Sequence, residues 1–72
     1  MNESIKNLRK VRESRGISLG QLSKMTGINK ATLQRYETGK TQKVDVDDII
    51  TLDITLNYPF LYQRYAEARG VL

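Results

Sequence analysis

Residues 19–38 read LGQLSKMTGINKATLQRYET, and where this stretch breaks decides the fold. Ser18, just ahead of it, forms an S-x-x-Q capping box with Gln21, and Ile17 pairs with Leu22 as a hydrophobic staple. A helix is therefore predicted from Leu19 through Leu22 and Met25. Gly27 stops it, because a residue without Cβ enters the left-handed region without steric cost. The same grammar then repeats: Asn29 caps, Ile28 and Leu33 staple, and a second helix runs from Lys30 to Thr38 before Gly39 ends it. Helix, Gly-bearing turn, helix is a helix-turn-helix pattern. Leu22, Ile28, Leu33 and Tyr36 form its inside, and Ser23 is small where the two helices must approach closely. A plain αα-hairpin shares these features and stays open as an alternative.

Working outward, Ile5, Leu8 and Arg12 fall at i, i+3 and i+7 with Val11 beside them, which predicts a first helix over 3–15 with Gly16 as its stop. Beyond Gly39 the segment GKTQKVD (39–45) has no periodicity and reads as a loop. Asp45 can cap a fourth helix carrying Val46, Ile49, Ile50, Leu52, Ile54 and Leu56, with Asp47 and Asp48 in its first turn where the macrodipole favours them. That segment is apolar on more than one face, and its β-branched content keeps a strand as the alternative. Asn57 can end it in the left-handed region. Pro59 fits the first turn of a fifth helix ending near Gly70. The expectation is a single all-α domain over residues 1–72, five helices and no sheet.

Composition narrows the chemistry. Seventy-two residues suit one small domain and leave no room for a separate cofactor fold. An apolar content of 39% is that of a chain that folds. With no cysteine and no histidine, disulfides, the usual metal ligands, thiol nucleophiles and the commonest general base are all missing. No paired catalytic constellation remains among the carboxylates and tyrosines, so no enzymatic step, metal, cofactor or small-molecule ligand is expected. No apolar run reaches the length of a membrane span, and the first twenty positions lack the apolar core of a secretory signal. A soluble, cytoplasmic protein without a membrane partner is expected.

The net charge of +4 says little until it is placed along the chain. Residues 1–43 hold ten Lys or Arg and three Glu, net +7, whereas residues 44–72 hold two basic and five acidic side chains, net −3. Phosphate neutralisation requires such polarity, although a basic membrane-surface patch or a merely solvated basic face would produce it too.

Residues 5–65, through LRKVRESRGISLGQLSKMTGINKATLQRYETGK (8–40) and two further helices, resemble the Cro/C1-type helix-turn-helix family of phage repressors and related bacterial regulators. The resemblance implies a compact five-helix, lambda-repressor-like domain whose third helix, here residues 30–38, reads double-stranded DNA. With Leu33 and Tyr36 turned inward, Lys30, Ala31, Gln34 and Arg35 occupy its outward and N-terminal positions. Arg and Lys donate to guanine O6 and N7, Gln pairs with adenine, and Ala touches a thymine methyl. The resemblance puts Lys30, Ala31 and Arg35 first among base readers and Gln34 next. Phosphate contacts are expected from Ser18, Asn29 and Thr32 at the edges of the unit. Lys40, Thr41, Gln42 and Lys43 extend that surface, in a loop similar to the one with which the family grips the DNA backbone. An ordinary polar connector is the alternative for the loop.

Four positions stand apart. Members of the family often carry Gln at the start of the second helix, where this chain has Leu19; Leu19 is expected to pack against Ala31 or touch a thymine methyl, and Gln21 does not inherit the role. Arg12 and Glu37 both lie toward the inside, and the resemblance implies that they form an inter-helix ion pair. Asp53 falls on the stripe of Ile49, Ile50 and Leu56, and is read either as partly buried, accepting from a tyrosine or Arg64, or as facing water. Among the aromatics, Phe60 with Tyr58 or Tyr62 is expected in the core, leaving Leu61 and Tyr65 for a two-fold contact. The function expected is sequence-specific DNA binding by a repressor-like regulator, as a homodimer on a palindromic operator. The rivals are the same fold used for protein–protein interaction, as in an antitoxin, and nucleic-acid binding by charge alone.

Overall fold

The computed structural model describes residues 5, 7–40 and 43–63 of the chain. Within them the order is α1 (Leu8–Ser14), α2 (Leu19–Thr26), α3 (Lys30–Thr38) and α4 (Val46–Leu56), and a fifth helical segment, α5, opens at residue 60 and is followed to residue 63. No strand occurs among the described residues, so the β-branched content of α4 yields to its helical pattern and caps.

The predicted start and stop signals from Gly16 to Asn57 act. Ser18 Oγ accepts from the Gln21 N–H while Gln21 Oε1 accepts from the Ser18 N–H, closing the capping box of α2. The Asn29 and Asp45 side chains accept from the Ala31 and Asp47 N–H groups and open α3 and α4. At the turn between α2 and α3, Gly27 lies at φ +76° with nothing near the position a Cβ would take, so dihedral angle rather than space selects glycine there. Asn57 ends α4 in the same region at φ +51°.

Helix α1 is shorter than its apolar spacing predicts. Asn7 sits at φ +68°, in the left-handed conformation that a helix cannot continue through, and so α1 begins at Leu8 instead of near residue 3. Ile5 remains buried, but as irregular chain whose N–H donates to the Tyr36 carbonyl at 3.0 Å. Its periodic position was satisfied by packing, not by helix. The predicted end of α5 near Gly70 lies outside the described residues.

Every helix contributes to one core: Leu8 and Val11 from α1, Leu22 from α2, Leu33 and Tyr36 from α3, Ile49, Leu52 and Leu56 from α4, and Phe60 from α5. α2 packs on both α3 and α4, and α1 packs on α3. Tyr58 is half-buried with its ring centroid 4.8 Å from that of Phe60, while Tyr62 is exposed, so Tyr58 is the partner Phe60 takes. Among the described residues no helix is long and apolar enough to cross a membrane.

Candidate nucleic-acid interface

Helix α3 is amphipathic in a way that leaves one side to solvent. Leu33 and Tyr36 are buried, and Lys30, Ala31, Gln34 and Arg35 are exposed on the opposite side. Ala31, Gln34 and Arg35, with Thr38 and Lys40, line a shallow hollow of about 330 Å³ along that side. Among the described residues, no hydrogen bond or ion pair occupies the side chains of Lys30, Gln34, Arg35 or Lys40. A face with donors and a methyl group but no internal partners has the chemistry that a base-edge reader needs.

The flanks supply donors of another kind. Ser18 and Asn29 are exposed, and each spends its oxygen accepting a capping N–H, which leaves the Ser18 O–H and the Asn29 amide N–H groups as donors. Thr32 is half-buried beside them. Lys40 and Lys43 are exposed in the described parts of the loop, and Lys43 lines a hollow of about 420 Å³ with Tyr36 and Asp45. Thr41 and Gln42 lie outside the described residues, as does Tyr65. Leu61 packs partly buried against the core.

Two contacts fix the angle at which α3 is presented. Arg12 Nε donates to Glu37 Oε2 at 2.7 Å and Nη2 to Oε1 at 3.3 Å, with the two side chains 10% and 5% exposed. Arg12 Nη1 donates to the Ile17 carbonyl at 2.8 Å, so the guanidinium ties α1 and the start of the α2 segment to the end of α3. The hydrogen bond to Glu37 raises the Arg12 pKa, against a smaller opposing effect of desolvation. On the other side the Tyr36 phenol donates to Asp48 Oδ2 at 2.5 Å, joining α3 to the first turn of α4. Burial, reinforced by that hydrogen bond, pushes the Tyr36 pKa up to about 12.

Other expectations are revised. Leu19 is half-buried and packs against the core, whereas Ala31 remains exposed, so Leu19 serves packing rather than presenting a polar group at the start of α2. Asp53 is half-buried, as one of its two readings had it, and among the described residues no tyrosine donates to it, while Arg64 lies outside them. Its carboxylate accepts from the backbone N–H of Phe60 at 2.9 Å and of Leu61 at 3.3 Å, because the turn at Asn57 brings the start of α5 back against α4. Arg15 Nε donates to the Leu56 carbonyl at 3.1 Å, satisfying the end of α4 from α1. The bonds of Tyr36, Asp53 and Arg15 link different elements across a loop, a reversal or most of the chain, and spacing alone carries no signal for them.

The described residues hold no group of three or more His, Cys, Asp or Glu able to bind a metal ion.

Comparison with known proteins agrees with the geometry. No curated protein and no solved structure matches the chain. A model of the helix-turn-helix family matches residues 8–63, spanning α1 through the described part of α5. Four named helices in the expected order, α2 to α4 capped at the expected residues and α3 presented outward, together with that match, place the chain in the helix-turn-helix family of Cro/C1 type, a family of DNA-binding regulators.

Proposed function

We propose that this protein binds double-stranded DNA sequence-specifically as a repressor-like transcriptional regulator, with α3 lying in the major groove. The observation that carries the reading is the outer side of α3, where Lys30, Ala31, Gln34 and Arg35 are exposed together over the buried Leu33 and Tyr36. Arg35 and Lys30 read guanine edges, Gln34 reads adenine, and Ala31 meets a thymine methyl. Ser18, Asn29, Thr32, Lys40, Thr41, Gln42 and Lys43 contact phosphates on either side and set the register.

One copy offers four base readers, too few for a high specificity ratio. Two copies on half-sites one helical turn apart, about 34–36 Å, multiply the affinity, with Leu61 and Tyr65 at the two-fold contact. Selection of bound duplexes from a random pool at near-physiological salt tests this. Recovery of a palindromic consensus with that spacing supports the reading; a pool that stays random while binding falls steeply with salt replaces it with charge-driven binding. Absence of any bound duplex replaces it with a protein-interaction role for the fold.

A further inference from the structure

The outer side of α3 is uneven in what it offers the four bases. Among the described residues its hollow of about 330 Å³ is lined by Ala31, Gln34, Arg35, Thr38 and Lys40, of which Ala31 is the one apolar residue and none is acidic. Glu37, the only acid of α3, is turned away to Arg12. Arg35 and Gln34 match guanine and adenine edges, and Ala31 matches a methyl group, whereas a carboxylate to accept from cytosine N4 is missing among the described residues of this face. Unmodified cytosine is therefore the base that this face serves least.

A change on the DNA fills that gap. Thymine presents a methyl group at C5 in the major groove, and a cytosine methylated at C5 presents the same group at the same place. Ala31 is exposed, and the Asn29 cap holds its backbone by accepting its N–H at 2.8 Å. Arg35 follows at i+4 on the same side, about 5–6 Å away between Cβ atoms. That spacing suits a methylated pyrimidine and a guanine on neighbouring base pairs, which stack about 3.4 Å apart.

We propose that the protein accepts 5-methylcytosine in place of thymine where Ala31 meets the DNA, so that methylation of a cytosine beside the guanine read by Arg35 raises affinity. The inference rests on the placement of α3 in the major groove. The gain is that of one methyl group taken out of water against Ala31, about fourfold. Methylation adds no charge, so the gain does not change with salt, unlike the share of affinity that comes from phosphates.

The test uses the full chain and a duplex recovered by the random-pool selection, at the base pair whose thymine preference is lost in Ala31→Gly. Versions of that duplex differ only there, carrying thymine, uracil, cytosine or 5-methylcytosine opposite the matching purine. Titrations at low and near-physiological salt should show thymine above uracil, and 5-methylcytosine above cytosine, each by about fourfold at both salts. In Ala31→Gly both ratios should fall to about one; the cost of glycine to the helix falls on every duplex alike and cancels in the ratio. Equal binding of cytosine and 5-methylcytosine by the wild type, weaker binding of the methylated duplex, or a methyl gain that persists in Ala31→Gly overturns the proposal and leaves DNA reading by α3 in place. A consensus without an Ala31-dependent thymine does the same. A pool that stays random overturns the proposal and the sequence-specific reading together.

Discussion

Arg12 and Glu37 are charges that this small core accommodates only together. The guanidinium has three of its donors committed, two to Glu37 and one to the Ile17 carbonyl. Glu37→Ala leaves a buried cation with one carbonyl, and should cost about 3 kcal/mol, read as a lower urea midpoint. Replacing both residues, Arg12→Met with Glu37→Leu, should recover much of the loss, because the uncompensated charge is gone. An unchanged midpoint in Glu37→Ala would show that the pair carries no stability. Tyr36 behaves differently, since its proton is what the fold holds. The folded pKa of about 12 lies above the ordinary value of about 10 expected in the unfolded chain. The unfolded chain thus releases the proton first as pH rises, so the Tyr36 contribution is complete below pH of about 10 and is lost as pH approaches about 12. Tyr36→Phe should cost about 1–2 kcal/mol at neutral pH through the lost bond to Asp48, and should fall less steeply than the wild type in that alkaline window. Urea midpoints at neutral pH and across the window check both parts; equal alkaline slopes would contradict the titration.

Among the elements, α5 depends most on a contact from elsewhere. Its first N–H groups have no preceding helical turn to pair with, and Asp53 supplies the acceptor from the side of α4. Asp53→Ala should cost about 1 kcal/mol and speed hydrogen exchange at the Phe60 and Leu61 amides, while Asp53→Asn, which keeps an oxygen at the same place, should lose less. Exchange unchanged at both amides would show that the Asp53 carboxylate does not protect the start of α5. This cap also marks where sequence reading reaches its limit. Ser18, Asn29, Asp45, Gly27 and Asn57 act on backbone groups within a few residues, so their effect is legible in the chain itself. Asp53 acts on groups seven and eight residues away across a reversal, and Tyr36 on Asp48 across a loop; both require the tertiary arrangement before they mean anything. Asn7 misleads for the opposite reason. The apolar spacing of Ile5 and Leu8 is helical, yet a left-handed residue between them ends the helix while burial of both is kept. The outward residues of α3 were legible because inward Leu33 and Tyr36 fix its rotation.

At the scale of the molecule, the polarity of charge and the direction of α3 bear on the same event. Basic residues concentrate in 1–43, the part that carries α1 to α3 and the loop, while the acids of α4 lie beyond it. The basic share of the chain thus falls in the elements that include α3 and Lys40. Affinity should therefore divide into a salt-sensitive share, from lysines that neutralise phosphates, and a sequence-sensitive share, from α3. The division can be measured with two exposed side chains five residues apart, Arg35 and Lys40, which line the same hollow. Arg35→Ala should cost about 1–3 kcal/mol on the selected duplex and much less on unrelated duplexes, relaxing preference at one base pair. Lys40→Ala should weaken selected and unrelated duplexes alike and reduce the slope of log affinity against log salt by about one. Titrating wild type and both variants against both duplexes over a range of salt gives each quantity from the same curves. If Lys40→Ala changed sequence preference, or Arg35→Ala changed only the salt slope, the hollow would be oriented with its loop end in the groove and its α3 side along the backbone, and the register of the whole domain on DNA would have to be turned accordingly.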